Sequence, residues 1–347
     1  MRVLLTGHLG YVGPMVSQAL MMAGHDVTGL DSGFFFEPDG QCLAAADRVG
    51  RFPVSDVRDV TAESLKGIEA IVHLAGLSND PMGELDPALT LAINQTATLD
   101  LARCARAAGV ERFVFASSCS LYGAAGDTAL MIDEEAPLHP VSAYAVSKAE
   151  CERELAALAS LDFAPVFLRF ATAFGVSPRM RFDLVLNNLV AWARTTGEIR
   201  VLSDGSPWRP LVHVSDMAHA ILCVLNTPAD IVRARAFNIG RDDNNLTVAR
   251  IAEIVAAQIP GSRIVITGET GGDPRSYRVS FARARRDLVG FAPRWTVADG
   301  AAEIDRWIVD QGLALNDVMS PRFVRLAQLK QHLACGRLDS ALRPVRI

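Results

Sequence analysis

The sequence predicts an α/β protein, with a doubly wound parallel sheet in its first half and a smaller α/β lobe after it. Three observations predict this. Short apolar runs alternate with helix-like stretches from the first residues onward. The glycine run Gly7-His8-Leu9-Gly10-Tyr11-Val12-Gly13 stands between the first apolar run and the first helix. An acid, Asp31, closes the second apolar run. Strands alternating with helices at this spacing form parallel sheets covered on both faces.

The elements follow in order. Residues 2–6 are a short apolar run ending in Gly7, which reads as a buried strand. Residues 15–23 are helical in composition, and Gly24 suits the stop. Residues 27–31 and 70–75 read as the next two strands. A long helix is expected over about 85–108, ended by Gly109. A strand at 112–117, a helix at 144–159 and a strand at 165–170 complete the series. After about residue 175 the pattern loosens, with turn-rich segments such as Ser203-Asp204-Gly205-Ser206-Pro207. The expectation is a dinucleotide-binding domain of the Rossmann type over 1–175 and a substrate lobe with a helical tail over 176–347, some later segments returning to the first domain.

Composition narrows the function. The 347 residues carry a net charge of -5, with 50% hydrophobic and 21% charged residues. No basic stripe suits nucleic acid, and no polybasic segment suits an anionic membrane. No apolar run has the length of a membrane span. The six cysteines (Cys42, Cys104, Cys119, Cys151, Cys223 and Cys335) are scattered, with no C-x-x-C pair and no zinc spacing. Reduced thiols, no metal and a cytoplasmic location are expected. Strand-like residues begin at Arg2, which leaves no room for a targeting peptide.

The glycine run has the context that makes such a motif useful, strand before and helix after. Gly7 allows a tight turn, Gly10 a close backbone approach to a pyrophosphate, and Gly13 close helix–strand packing. The helix N-terminus offers amide donors and a favourable field for phosphates. Pro14 suits the first turn. Asp31 is placed to accept from both ribose hydroxyls of NAD and to repel a 2′-phosphate; Ser32 and Gly33 bring no compensating arginine. NAD is therefore expected rather than NADP.

Tyr144 and Lys148 stand four residues apart on one helix face. A free phenol has a pKa of about 10, and a nearby ammonium helps it ionise. The strand ending Phe115-Ala116-Ser117-Ser118-Cys119-Ser120 offers hydroxyls to orient a reacting oxygen.

These residues carry a resemblance. The chain resembles an extended short-chain dehydrogenase/reductase of the NAD-dependent epimerase/dehydratase type, which acts on nucleotide sugars. The marks extend over nearly all of the first 310 residues. They are Gly7, Gly10 and Gly13, Asp31, Ser55-Asp56-Val57, His73-Leu74-Ala75-Gly76, Asn94, Ser117 to Gly123, Tyr144 with Lys148, and Trp208-Arg209-Pro210 running on to Asp216. The resemblance implies a catalytic set of Ser118, Tyr144 and Lys148. Tyr144 and Lys148 would also touch the cofactor, together with Gly7, Gly10, Tyr11, Val12, Gly13, Asp31, Asp56, Val57, Leu74, Ala75 and Gly76, and Asn94 would belong to the same site by helping to fix the loops near the cofactor. Asp56 and Val57 would lie at the adenine. Asn188 and Arg209 would grip the substrate diphosphate, with Ser118, Thr172 and Arg275 as further substrate contacts. It also implies a homodimer through a four-helix interface. His213 and Cys119 read as structural, and Asp216 as a helix N-cap.

Two departures bear on activity. Sugar 4,6-dehydratases of this type carry an Asp-Glu pair after the catalytic Thr; here Cys119 and Ser120 stand there, which disfavours 4,6-dehydration. The late substrate segment reads Glu269-Thr270-Gly271-Gly272-Asp273-Pro274-Arg275, with its arginine shifted, so that Arg275 or Arg278 takes that place. The expected function is an NAD-dependent nucleotide-sugar epimerase acting at C4 through a transient keto-sugar, with Tyr144 as acid/base. The alternatives are a keto-sugar reductase or dehydrogenase of the same fold and a non-catalytic NAD-binding regulator. The intact Ser118, Tyr144 and Lys148 argue against the regulator. The tail from Ser320 is expected to lie as an amphipathic helix on the body or on a partner chain.

Overall fold

A parallel sheet of seven strands forms the centre of the molecule. The computed structural model describes residues 1–35, 49–123, 130–268 and 275–345. Cys42 and the segment 269–274 lie outside the described residues. The sheet comprises β1 (Arg2–Thr6), β2 (Asp26–Leu30), β3 (Gly50–Arg51), β4 (Ala70–His73), β5 (Arg112–Ser118), β7 (Ala164–Phe170) and β11 (Ala236–Ile239), with β6 (Met131–Ile132), β8 (Thr172–Phe174), β9 (Glu198–Val201) and β10 (Trp208–His213) outside it. Its order is β11-β7-β5-β4-β1-β2-β3. Every neighbouring pair is parallel. The chain leaves β1 in one direction and returns to its other side at β4. The crevice at the carboxyl ends of β1 and β4 is thus the topological switch point, where open α/β sheets bind ligands.

Strand residues alternate between two core layers. Val3 and Leu5 face one layer and Leu4 the other; Val114 faces the first, Phe113 and Phe115 the second. All are essentially inaccessible. Burial on both faces explains why the strands read as unbroken apolar runs. The seventh strand, β11, comes from well beyond residue 175 and pairs with β7. The remainder of the second half builds small sheets, β10 with β8 and with β12 (Asn245–Thr247), and β9 with β13 (Arg263–Ile266).

The first helix runs Gly13–Met22 with Pro at its start, and Gly24 follows it at φ +82°. The long helix expected over 85–108 is present over 87–107: Pro87–Leu91, a π-helical turn at Ala92–Thr96 and Ala97–Ala107 follow one another with helical backbone throughout. A separate helical turn at Asp80–Gly83 precedes it. Asn79 caps that turn and Asp86 the long helix, each with a proline in the first turn that follows. The Tyr144 helix spans Ala143–Leu158, capped by Ser142. Asp216 is not an N-cap: His213 holds that position for helix Val214–Asn226, and Asp216 accepts the backbone N–H groups of Arg294 (3.0 Å) and Trp295 (3.1 Å) instead. His213 stacks on Trp295 at 4.0 Å and donates from Nε2 to Glu303 (2.9 Å), a structural role. The tail forms helix Arg325–Ala334 and lies on the body.

Candidate active site

The loops after β1, β2, β4 and β5 surround a cavity of about 730 Å³. At its centre is the glycine turn. Gly7 has φ +74°, and a side chain there would meet Ala75 N at 2.8 Å. A Cβ on Gly13 would lie 2.5 Å from the carbonyl oxygens of Gly7 and His8. Gly10 is tight only against Gly7 O, at 3.2 Å. Only backbone therefore fits here. No side chain caps the helix that starts at Gly13, so the positive end of its dipole is open at the cavity wall. Each Asp31 oxygen accepts one backbone N–H, from Leu9 (3.0 Å) and from Gly33 (2.8 Å). A carboxylate keeps further acceptor capacity after two such bonds. This shape and donor set fit a dinucleotide.

Every residue named from the sequence borders this cavity except Asn94. Asn94 is buried behind the wall, where it accepts from Leu77 N (2.8 Å) and donates to Leu77 O (3.0 Å). A side chain on Gly76 would meet its Oδ1 at 2.9 Å. It holds the Gly76–Leu77 loop and does not touch the cavity, and it sits in the π-helical turn. Tyr11 lines the wall, but its hydroxyl is committed to protein: it donates to Gly175 O (2.5 Å) and accepts from Asn187 (3.0 Å). Burial pushes that phenol well up. Asp56 is gripped by Arg58 through both oxygens (3.0 and 2.6 Å). Burial works against its ionisation, yet the Arg58 bonds win and hold the carboxyl below its usual range.

At the other end stand Ser118, Tyr144 and Lys148. Lys148 Nζ donates to Ala116 O (2.8 Å) and lies 4.5 Å from the Phe115 ring centre and 5.8 Å from that of Tyr144. Burial pulls the ammonium down to about 8. The Ser118 hydroxyl shares a hydrogen bond with Ser120 Oγ (2.6 Å) and accepts from Ser120 N (3.1 Å). The sequence suggested that Lys148 would ease ionisation of Tyr144. In the structure burial dominates and pushes the phenol up to about 12; Ser118, Arg275 and Arg181 pull it down, and Asp80 pushes it further up. Cys119 is buried, donates to Arg169 O (3.2 Å) and has a thiol pushed up by burial, so it is no nucleophile.

Sequence reasoning missed Asp80, Arg181 and Asp183, which join Arg209 and Arg275 at this end. Asp80 Oδ2 pairs with Arg275 Nη1, and Ser142 donates to Asp80 Oδ1. Arg209 Nη1 donates to Arg275 O and to Trp208 O. Arg181 pairs with Asp183 (2.8 and 3.0 Å) and donates to Ser78 (3.1 Å). Asp80 follows an Asn N-cap and Arg181 belongs to Arg179-Met180-Arg181-Phe182-Asp183, charges set in an apolar stretch; both signals were present in the chain. Asn188 donates to Phe182 O (2.9 Å) and borders the cavity with Thr172. Among the described residues no cluster of His, Cys, Asp and Glu has metal-binding geometry, and no helix is long and apolar enough to cross a membrane.

Known proteins match this arrangement. The model of the NAD dependent epimerase/dehydratase family matches residues 3–240. The UDP-glucose 4-epimerase of Corynebacterium glutamicum is 28% identical over 331 residues, covering 90% of this chain and 97% of that protein. The structure of MoeE5 in complex with UDP-glucose and NAD superposes with a TM-score of 0.74 at 27% identity, covering 90% of this chain and 100% of the other. DesIV, a dTDP-glucose 4,6-dehydratase from Streptomyces venezuelae with NAD and TYD bound, gives 0.76 at 26% identity over 93% and 100%.

Proposed function

This chain belongs to the NAD dependent epimerase/dehydratase family, and from that premise we propose that it epimerises a nucleotide sugar at C4 through a transient keto-sugar, with Tyr144 as acid/base. One observation carries the reading. Ser118, Tyr144 and Lys148 border the same cavity as the glycine turn and Asp31, while the residues after Ser118 are the buried Cys119 and Ser120 and not acids. An enzyme that eliminates water needs an acid beside the leaving hydroxyl; one that only inverts a carbinol does not.

Bound NAD would supply a two-electron acceptor for C4 and, when oxidised, a positive charge that favours the phenolate. The turn through Gly7, Gly10 and Gly13 would hold its pyrophosphate, and Asp31 a ribose. Tyr144 takes the proton from the sugar hydroxyl and returns it once the keto-sugar has turned its other face. Ser118, whose presence pulls the phenol's pKa down, orients the sugar oxygen with its hydroxyl. Lys148, held by Ala116 O, keeps a positive charge near the ring. Arg209 and Arg275 grip the substrate diphosphate, a task suited to the guanidinium fork. Binding energy from that remote group sets the sugar against Tyr144. The UDP-glucose 4-epimerase relative and the MoeE5 complex with UDP-glucose support the class of substrate.

We also infer a homodimer through helices Ala97–Ala107 and Ala143–Leu158. Their outer faces carry the Asp100–Arg103 (2.9 Å) and Glu150–Arg153 (2.7 Å) pairs. A monomer in sedimentation at micromolar concentration contradicts that inference. The test of the activity is replacement of Tyr144 by Phe, which removes the transferable proton and leaves the dinucleotide wall intact; full turnover in that variant overturns the mechanism.

A further inference from the structure

The C-terminal tail fastens to three of the loops that flank the switch point. Helix Arg325–Ala334 sets Leu329 into an apolar cluster with Leu77, Met82 and Ile93, against which Phe34 and Phe35 pack. Leu338 and Leu342 complete the cluster. Phe34 and Phe35 follow β2, and Leu77 and Met82 follow β4. The tail then folds back on itself through the Leu338–Pro344 bridge. There Ala341 O and Leu342 O accept from Arg58 (2.7 and 3.2 Å), and Arg343 pairs with Asp59 and Asp56 (2.5 and 3.5 Å). Arg58 and its neighbours follow β3. Between these two attachments Arg325 reaches the cavity wall. Its guanidinium is 2% exposed, lies 5.1 Å from the Phe35 ring centre, and is oriented by Gln328 Oε1 (3.0 Å) and Arg179 O (3.1 Å). Arg325 borders the cavity together with Phe35, Asp183 and Arg181.

We propose that the C-terminal tail is a working part of the dinucleotide site, in which its attachments to the loops after β2, β3 and β4 hold those loops closed and the tail must lift for that ligand to enter or leave. The proposal rests on the NAD-dependent reading above. A ligand under a fastened segment leaves at its own rate multiplied by the fraction of time the segment is open. The consequence is chemical. A reductase must exchange its dinucleotide at every turnover, whereas an epimerase returns it to its starting state. A clasp that slows exchange suits the second and impedes the first.

The test uses the full-length protein loaded with NAD. Leu329→Asp and Leu342→Asp each put a charge into the tail cluster, and neither residue borders the cavity. The rate at which bound NAD is lost after dilution is read by spin filtration and absorbance of the acid extract. Hydrogen exchange of the amides in helix Arg325–Ala334 is followed with and without NAD. The expected result is release faster by roughly ten-fold or more in both variants, with tail amides better protected when NAD is bound. If the Asp variants do not fold, Leu338→Ala decides, since it trims the same tail cluster without burying a charge and does not border the cavity. Release at the parent's rate in variants whose tail amides exchange freely overturns the proposal. Sugar isomerisation is assayed separately. Tail-dependent NAD retention without isomerisation contradicts the proposed activity and leaves the clasp standing; isomerisation with tail-independent retention does the reverse.

Discussion

Asp80 and Arg275 stand 195 residues apart in sequence and form an ion pair at the wall of the cavity, beside Tyr144. Their charges act on the phenol in opposite senses: the carboxylate raises its pKa and the guanidinium lowers it. Lys148, Arg181 and Ser118 face the same ring. Asp80→Asn therefore leaves net positive charge around the phenol, and Arg275→Gln leaves net negative charge. The rising limb of the pH–rate profile moves to lower pH in the first variant and to higher pH in the second, each by roughly one unit or less. Shifts in the same direction contradict this geometry.

Removing the phenol oxygen in Tyr144→Phe lowers kcat by about 10²–10⁴-fold, the usual worth of a positioned acid/base. NAD stays bound, because the glycine turn and Asp31 are untouched. Ser118→Ala removes the hydroxyl that orients the sugar oxygen and lowers kcat by a smaller factor. Steady-state rates together with the dinucleotide content of the purified variants check both statements.

Lys148 is costly to the fold. Burial pulls its ammonium from 10.5 down to about 8, so between those values the unfolded chain binds the extra proton. Stability of the parent then rises with pH across that window, and the full penalty is present below it. Lys148→Met stabilises the protein by about 1–2 kcal/mol at pH 7, after allowance for the lost bond to Ala116. The gain shrinks above pH 8 and closes by about pH 10.5, while turnover falls at every pH. Thermal unfolding of parent and variant across this range measures it.

Gly13→Ala sets a methyl group 2.5 Å from two backbone carbonyl oxygens, which cannot move without opening the turn. Loss of dinucleotide binding and destabilisation of about 1–3 kcal/mol follow. Gly24→Ala is the control. It sits just past the helix end with open space around it, so only its positive φ is strained, and its dinucleotide binding is unchanged. Titration with NAD and thermal unfolding separate the two.

Much of the first half was legible in the sequence because each signal there is local. A strand, a glycine turn and a helix follow one another within 22 residues, and the two-sided burial of β1, β4, β5 and β7 leaves unbroken apolar runs. The helix over 87–107 was legible from its apolar spacing, and the π-helical turn at Ala92–Thr96 inside it was not, because one extra residue in a turn leaves the local composition unchanged. The partners of Asp80 and Arg325 were not legible at all. Asp80 meets a residue 195 positions away, and Arg325 is buried only because the tail crosses back over the switch point. Pairings of that kind depend on topology, and no local pattern encodes them.

The most direct test follows product mass and reduced-nicotinamide absorbance together while the purified protein meets UDP-, TDP-, GDP- and CDP-sugars with NAD. The account predicts a new isomer of unchanged mass from one of them, with no net NADH. Accumulating NADH, or a product differing by two hydrogens, would contradict it and make this chain a dehydrogenase or reductase.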